Sequence, residues 1–238
     1  MKLQQVKETI FTSGRRFIAN PMVFSRARVE THPDVSAYDE FLNKLELLRL
    51  VLDKQVRVCN GLEDGRLVSL NTEVKATSIL LDAYPSWVLG KSDNRAAGDV
   101  YIKTSGGIFP INVKFIVNNS TSANNIGGTV QNIGRLLYGK HISSFLELAY
   151  AMRNDAFTTD TQQYGVLAIN KGTGETKSFT MFNIESLVVN PTNGFQFNWN
   201  TVSTVPRTQR EGQDFLYART EELLAKKAAP WLYITNNA

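Results

Sequence analysis

The sequence predicts a mixed α/β fold in which one central mixed β-sheet is flanked by helices. Three observations predict it: an amphipathic helix pattern at 35–53, two apolar strands around a glycine turn at 98–117, and strand-like segments at 163–200 followed by a last helix. The 238 residues are 42% hydrophobic and 20% charged, which is typical of a globular protein with a sizeable core. No linker-like stretch divides the chain, so we predict a single domain spanning 1–238.

The first third of the chain is predicted to be mainly helical. Residues 2–12 are polar and helix-like, and residues 71–83 predict a helix that ends before Tyr84 and Pro85. Residues 54–70, which lie between the helices predicted at 35–53 and 71–83, predict a short strand and a turn. The strongest pattern is the helix at 35–53, where apolar residues recur every three or four positions: Val35, Tyr38, Phe41, Leu42, Leu45, Leu48 and Leu52.

Residues 98–117, GDVYIKTSGGIFPINVKFIV, predict a β-hairpin with its turn near 105–107. Alternate side chains of a strand share a face. One face of the second strand is therefore apolar and consists of Ile111, Val113, Phe115 and Val117. Asn112 and Lys114 share the opposite face, and pairing through the turn is expected to place Asp99 beside them.

The chain after the hairpin is predicted to form helices, then strands, then a final helix. The predicted helices lie near 129–139, 142–153 and 209–228, and the predicted strands at 163–170, 176–182, 185–189 and 194–200. Pro230 is expected to end the last helix. The core of the domain is thus predicted at about 35–190, followed by a C-terminal strand and helix at about 191–238.

The rarer residue types argue against several classes of site. The chain has one cysteine, Cys59, and two histidines, none in a metal-binding spacing, which argues against zinc sites and histidine-based nucleases. It contains no GxSxG, Walker or GxGxxG motif. It also has neither a signal-peptide pattern nor an apolar run of about 20 residues, so we predict a cytoplasmic protein without membrane association.

Positive charge is concentrated at the start of the chain. Residues 1–30 contain six basic and two acidic side chains, an excess of four that equals the net charge of +4 of the whole chain. A basic pole of this kind is typical of proteins that bind a polyanion such as nucleic acid.

The polar side chains of the hairpin are suited to metal-assisted hydrolysis of a phosphodiester. The Asp99 carboxylate, the Asn112 amide oxygen and the Val113 carbonyl are the hard oxygen ligands that Mg²⁺ prefers. Lys114 is placed to hold a water molecule or to stabilise negative charge on the phosphate. The sequence therefore predicts a Mg²⁺ site that acts on phosphate esters.

An acid, a turn and then x-Asn-Val-Lys resembles the catalytic hairpin of the PD-(D/E)xK nuclease superfamily and is most similar to that of type II restriction endonucleases. The resemblance covers about residues 70–140. It implies a restriction-endonuclease-like core and Mg²⁺-dependent hydrolysis of double-stranded DNA at a short specific sequence, with Asp99, Asn112 and Lys114 catalytic. Two positions depart from the family pattern, since Gly98 replaces the usual proline and Asn112 the usual second acid.

The same superfamily often takes a further carboxylate from a helix that precedes the hairpin. The resemblance implies Glu73 for this role, with Glu40 and Glu46 as alternatives.

DNA contacts are predicted in the uncharged loop NNSTSANNIGGTVQ at 118–131, which directly follows the hairpin. Amide and hydroxyl side chains can read base edges, and those of this loop are Ser120, Thr121, Ser122, Asn124, Asn125, Thr129 and Gln131. Phosphate contacts are predicted for arginines outside the loop, namely Arg15, Arg16, Arg207 and Arg210. The amide side chains at 196–200 form a further candidate surface.

Two other functions stay open at this point. One is a DNA-binding module without catalysis, and the other is a nuclease of the same fold that acts on branched or damaged DNA. The sequence also leaves open the recognition sequence, whether the protein is a monomer or a homodimer, and whether it has a companion methyltransferase.

Overall fold

The central sheet and its flanking helices are seen in a computed structural model of the chain, which describes residues 35–55, 65–91, 98–116, 124–126, 130–154, 164–171 and 173–236. In chain order the elements are α1 Val35–Gln55, α2 Gly65–Ala83, β1 Val88–Gly90, β2 Val100–Thr104, β3 Gly107–Ile116, β4 Asn124–Asn125, α3 Val130–Tyr138, α4 Phe145–Asn154, β5 Gly165–Asn170, β6 Thr176–Thr180, β7 Val188–Asn190, β8 Gly194–Phe197 and α5 Gln209–Asn236. The predicted mixed α/β fold class is confirmed.

The main sheet has five strands in the order β1-β2-β3-β5-β6. Its central pair, β3 and β5, is parallel, whereas all its other neighbouring strands are antiparallel. β2 and β3 form the predicted hairpin. Thr104 pairs with Gly107, so Ser105 and Gly106 make the turn. Gly107 has a φ of 149°, a backbone conformation that residues with a side chain rarely adopt.

One face of the main sheet packs against α1 and α2. Alternate residues of β2, β3 and β5 point to this face and form its buried layer: Val100, Ile102, Ile111, Val113, Leu167 and Ile169. The helices contribute side chains that are at most 2% exposed, namely Phe41, Leu45, Leu48 and Leu52 from α1 and Ala76 and Leu80 from α2. Burial of each large aliphatic side chain stabilises the fold by about 1.5–3 kcal/mol, so this layer holds both helices on the sheet.

The opposite face packs against α3, α4, α5 and a small antiparallel sheet of order β4-β8-β7. Its buried strand residues include Ile116, Val166 and Ala168. Because both faces of the main sheet are covered, all six residues of β5 are buried, as expected for a central parallel strand.

Several element boundaries differ from the prediction. α2 begins at Gly65, not at 71, because the apolar spacing of Leu67 and Leu70 continues the helix toward its N-terminus. α5 extends past Pro230 to Asn236, since proline removes one N–H donor but its fixed φ of about −65° is itself helical. The segment predicted at 2–12 lies outside the described residues. Of the strand and turn predicted at 54–70, residues 56–64 also lie outside them, whereas 54–55 belong to α1 and 65–70 to α2.

In the part of the chain that the structure describes, no helix combines the length and the hydrophobicity needed to cross a lipid bilayer.

Candidate functional site

The predicted catalytic side chains lie at one end of the main sheet, which we call the site edge. It is the end where β2 begins and where β1, β3 and β5 finish. Asp99 immediately precedes β2, and Asn112 and Lys114 lie in the second half of β3. Since Val100 pairs with Ile111, the antiparallel register places Asp99 opposite Asn112.

Asp99 is fixed by hydrogen bonds to β3. Its backbone N–H donates to the carbonyl of Ile111 at 2.8 Å, and its Oδ2 accepts from the backbone N–H of Val113 at 2.8 Å. The N–H and C=O of one strand residue point to the same side. The Val113 carbonyl therefore points to the side on which Asp99 lies, as a shared cation ligand requires.

Gly98 lies where the nucleases that the hairpin resembles usually have a proline, and the structure gives a local steric reason for a glycine here. A Cβ added here would lie 2.8 Å from the backbone nitrogen of Ile111 and 2.9 Å from its carbonyl oxygen. The Gly98 N–H also donates to the Tyr101 hydroxyl at 3.3 Å, a bond that proline cannot make. Absence of a side chain thus allows β3 to approach closely just before Asp99.

Asn112 offers a buried side-chain oxygen. Its Oδ1 is shielded from solvent and accepts no hydrogen bond from the residues that the structure describes. The buried Tyr164 hydroxyl lies close enough to the Asn112 amide for the two groups to interact. Burial raises the pKa of Tyr164, and the Asn112 amide partly offsets this. The neutral amide oxygen is of the kind that a hard cation such as Mg²⁺ takes as a ligand.

Glu73 reaches the site edge from α2. It lies one turn before Ala76, on the side of the helix that faces the sheet. Burial raises the pKa of the Glu73 carboxyl above its ordinary value, the positive charge of Lys114 opposes this rise, and the negative charge of Asp99 adds to it. The carboxyl of Glu73 therefore lies within electrostatic reach of both hairpin residues.

The charges of three lysines, Lys114, Lys171 and Lys91, act on the Glu73 carboxyl. Lys91 directly follows β1, and Lys171 directly follows β5. No carboxylate among the described residues lies within ion-pair distance of Lys114, so its ammonium remains available to an anionic ligand.

The other two carboxylates proposed for the metal site lie elsewhere. Glu40 pairs with Lys44 at 2.6 Å and accepts hydrogen bonds from Ser105 at 2.8 Å, at the hairpin turn and thus at the opposite end of the sheet. Glu46 pairs with Arg49 at 2.6 Å and accepts from Ser178 at 2.9 Å. Among the three candidates, only Glu73 lies at the site edge.

The oxygen atoms at the site edge fit a hard cation such as Mg²⁺. They are the carboxylates of Glu73 and Asp99, the Asn112 amide oxygen and the Val113 carbonyl. Among the described residues, no three histidine, cysteine, aspartate or glutamate side chains form a cluster able to hold a metal. Two carboxylates with an amide are fewer than such a cluster needs, and they still suffice for Mg²⁺, which usually keeps several waters and phosphate oxygens as ligands.

The predicted DNA contacts are only partly visible. Most of the loop (Ser120, Thr121, Ser122 and Thr129) and the two N-terminal arginines, Arg15 and Arg16, lie outside the described residues. Asn124 and Asn125 form β4, which pairs with β8. Gln131 is exposed in the first turn of α3, and Arg210 is exposed in the first turn of α5.

Two of these predicted contacts already have partners within the fold. Arg207 Nη1 donates to the carbonyls of Phe182 and Ile184 at 2.8 and 3.1 Å, and its guanidinium lies 4.1 Å from the Phe215 ring centre. Asn125 Oδ1 accepts from Gln196 Nε2 at 2.6 Å. These contacts give Arg207 and Asn125 structural roles that need no DNA.

The amide surface predicted at 196–200 is present only in part. Asn198 is half-buried and Asn200 is exposed, but both lie beyond β8, which ends at Phe197 and whose four residues are all buried. Gln196 is only 6% exposed, because α5 and the main sheet cover the small sheet and leave this amide in the interior.

No model of a known protein family matches this sequence, and no curated protein matches it either. The nuclease resemblance therefore rests on the hairpin residues and on the geometry of the site edge.

Sequence reasoning missed Lys91, Lys171 and Tyr164. Lys91 directly follows β1 and Lys171 directly follows β5, whereas Tyr164 precedes β5 and lies near Asn112, and all three positions depend on pairing between distant segments. The available signal was a lysine directly after a short apolar strand, as in VLGK and LAINK. It becomes informative only when the strand order is known.

We predict that Glu73→Gln stabilises the metal-free protein at neutral pH. A carboxyl whose pKa is raised in the folded state is less favourable when ionised there, so the variant gains stability above that raised pKa. Below the ordinary pKa of glutamate both side chains are neutral and the gain disappears. The side chain is partly exposed, so we expect a gain of about 0.5 kcal/mol or less. Urea unfolding in EDTA at pH 4 and pH 7.5 measures this difference.

Asp82→Asn, at the exposed C-terminal end of the same helix, is the matched control. Adding Mg²⁺ at pH 7.5 should reverse the order, because the wild type then gains stability by binding the cation and Glu73→Gln gains less. Equal Mg²⁺-induced stabilisation of both proteins would remove Glu73 from the metal site.

Proposed function

We propose that this protein is a Mg²⁺-dependent endonuclease that hydrolyses phosphodiester bonds of double-stranded DNA at a short specific sequence, as type II restriction endonucleases do. The observation that supports the proposal is the position of Asp99 opposite Asn112 in the hairpin, with the charges of Asp99 and Lys114 both acting on the Glu73 carboxyl. Carboxylates, an amide oxygen and a lysine at one point are suited to binding a cation and a phosphate together.

Each residue has a distinct role in this proposal. Asp99 and Glu73 bring negative charge that attracts a dication, while Asn112 and Val113 add neutral oxygen ligands. The hydrogen bond from the Val113 N–H keeps the Asp99 carboxylate oriented before substrate arrives. When bound, Mg²⁺ supplies positive charge to a phosphate oxygen and lowers the pKa of a bound water.

Lys114 acts on the attacking water and on the phosphate. Its ammonium orients the water and stabilises the negative charge that develops on the phosphate oxygens. In the reaction, the oxygen of the water bonds to phosphorus, one P–O ester bond breaks, and the leaving sugar oxygen acquires a proton. A phosphomonoester and a sugar hydroxyl result.

Sequence reading is assigned to the loop at 118–131 and to Gln131, whose exposed side chain lies at the start of α3. Amide and hydroxyl groups carry base information, whereas lysine and arginine mainly position the backbone. Arg210 at the start of α5 and the arginines of residues 1–30 are the proposed backbone contacts. Arg207 is left out of this surface, because its contacts lie within the fold.

Supercoiled plasmid incubated with the purified protein, with Mg²⁺ or with EDTA, tests the proposal. We expect discrete linear fragments with Mg²⁺ only, and a loss of cleavage of about 10²–10³-fold in Asp99→Asn. Asparagine keeps an oxygen that can accept from the Val113 N–H, so this variant removes charge with little disturbance of the hairpin. Its melting temperature should match that of the wild type.

The other results identify the alternatives. A smear of fragments would indicate a nuclease without sequence specificity, and cutting confined to branched or damaged duplexes would indicate a repair-type enzyme. Binding of DNA without cleavage, unchanged in Asp99→Asn, would overturn the proposal in favour of a DNA-binding module.

A further inference from the structure

Lysines follow two strands at the site edge and lie on either side of Lys114. β1, β2, β3 and β5 are neighbours in the sheet. Lys91 follows the first of these strands, Lys114 lies in the third, and Lys171 follows the fourth. The three lysines therefore form a diagonal row across this end of the sheet, in the order Lys91, Lys114, Lys171, because the register places Lys91 level with Asn112 and Lys171 just beyond Ile116.

The strand register supports this placement at both ends of the row. Gly90 pairs with Val100, so Lys91 comes next to Asp99 at the end of that ladder. At the other end, the Lys171 N–H donates to the carbonyl of Ile116 at 2.7 Å, so Lys171 is held at the end of β3. Both lysines also lie within electrostatic reach of Glu73.

The row is too long for a single phosphate. Neighbouring strands lie about 4.8 Å apart, so the three steps from β1 to β5 span roughly 14 Å, and the offset of about five residues from the level of Asn112 to that of Lys171 adds roughly 16 Å along the strands. The backbones of Lys91 and Lys171 are therefore roughly 22 Å apart. Phosphates of one DNA strand advance by about 3.4 Å along the helix axis, so this length corresponds to about six nucleotides. Among the described residues of the site edge, three lysines outnumber the two carboxylates Asp99 and Glu73.

We propose that Lys91 and Lys171 hold phosphates of the same DNA strand on the two sides of the phosphodiester that faces Lys114. The site then takes a run of a polynucleotide chain, and the two flanking lysines position it for the chemistry at Asp99 and Lys114. This inference rests on the proposed function and adds two positioning residues to it.

The test measures binding to a labelled 30-base-pair duplex in EDTA, so that no cleavage occurs, at a series of salt concentrations. Each phosphate contact adds about 0.9 to the slope of log Kd against log salt, and hence about eightfold in Kd at 0.1 M salt. We expect Lys91→Gln and Lys171→Gln each to lower the slope by about 0.9, and the double variant by about 1.8. Lys91→Arg and Lys171→Arg should restore both slope and affinity.

Lys103→Gln is the matched control, since it removes the same charge from the exposed far end of the β2–β3 hairpin. Its slope should equal that of the wild type. In plasmid cleavage with Mg²⁺, Lys91→Gln and Lys171→Gln should raise KM about eightfold with little change in kcat. Melting temperatures exclude unfolding as the cause.

Slopes for Lys91→Gln and Lys171→Gln that equal the Lys103→Gln slope would overturn the inference while leaving the nuclease proposal intact. A slope lowered equally in all three variants would also overturn it, because the effect would then be one of total charge. Failure of the proposed function appears differently, as absence of cleavage by the wild type itself.

Discussion

Lys114→Gln is expected to lower plasmid cleavage by about 10²–10³-fold while the protein still folds and binds DNA. Glutamine keeps most of the length of the side chain but loses the ammonium that stabilises charge on the phosphate. Lys114 makes no ion pair within the described part of the chain, so its removal breaks no structural contact of that kind. Cleavage rates at saturating protein concentration, with melting temperatures beside them, measure the effect.

Lys103→Gln is again the appropriate control for this variant. Lys103 lies on the same hairpin about 13 Å along the strand from Asp99, and its side chain is exposed. The Lys103→Gln protein should cleave plasmid at the wild-type rate. If Lys114→Gln cleaved as fast as Lys103→Gln, the lysine of β3 would have no part in the chemistry and the site assignment would fail.

Gly98→Ala is expected to lower both stability and cleavage. Its Cβ would approach the Ile111 backbone to 2.8–2.9 Å, and backbone atoms of a paired strand cannot move aside without shifting the ladder. We expect a cost of about 1–3 kcal/mol. Asp99 would move with the strand, and a misplacement of about 1 Å at a catalytic group can cost 10²-fold in rate. Urea unfolding and plasmid cleavage measure the two effects.

Gly90→Ala provides the comparison for this substitution. Gly90 ends the neighbouring strand, and a Cβ there would meet its nearest atom, Leu81 Cδ1, at an ordinary 3.8 Å. The Gly90→Ala substitution should change the free energy of unfolding by less than about 1 kcal/mol. Gly98→Pro should be at least as harmful as alanine, because proline adds atoms and removes the N–H that donates to the Tyr101 hydroxyl. A fully active Gly98→Pro protein would contradict the steric explanation.

The hairpin was predictable because its information is local. Alternation of apolar and polar residues fixes which face each side chain takes, and the Ser105–Gly106 turn fixes the register. The position of Asp99 beside Asn112 follows from these two facts alone. The helix pattern at 35–53 is local in the same way, and the structure places its buried side chains, such as Phe41 and Leu48, on the sheet.

The rest of the site edge was not predictable, since it depends on which strands become neighbours. Lys171 reaches the site because β5 pairs in parallel with β3, and Lys91 because β1 adds to the far side of β2. Glu73 was named from the family resemblance and from its nearness in sequence. The sequence does not show which glutamate reaches the site. In the structure, packing of α2 on the sheet brings Glu73 to the site edge, whereas Glu40 binds the hairpin turn at the other end of the sheet.

The parallel pairing of β3 with β5 has a consequence during synthesis on the ribosome. Everything from Glu73 to Lys114 emerges before β5 exists, and two further helices, α3 and α4, must follow before the partner strand appears. A nascent chain that stops at Asn154 thus contains Glu73, Asp99 and Lys114 but lacks β5, the strand that pairs with β3. Long-range pairing of this kind forms late and slowly, so the proposed DNA cleavage should become possible only after translation has passed Lys171.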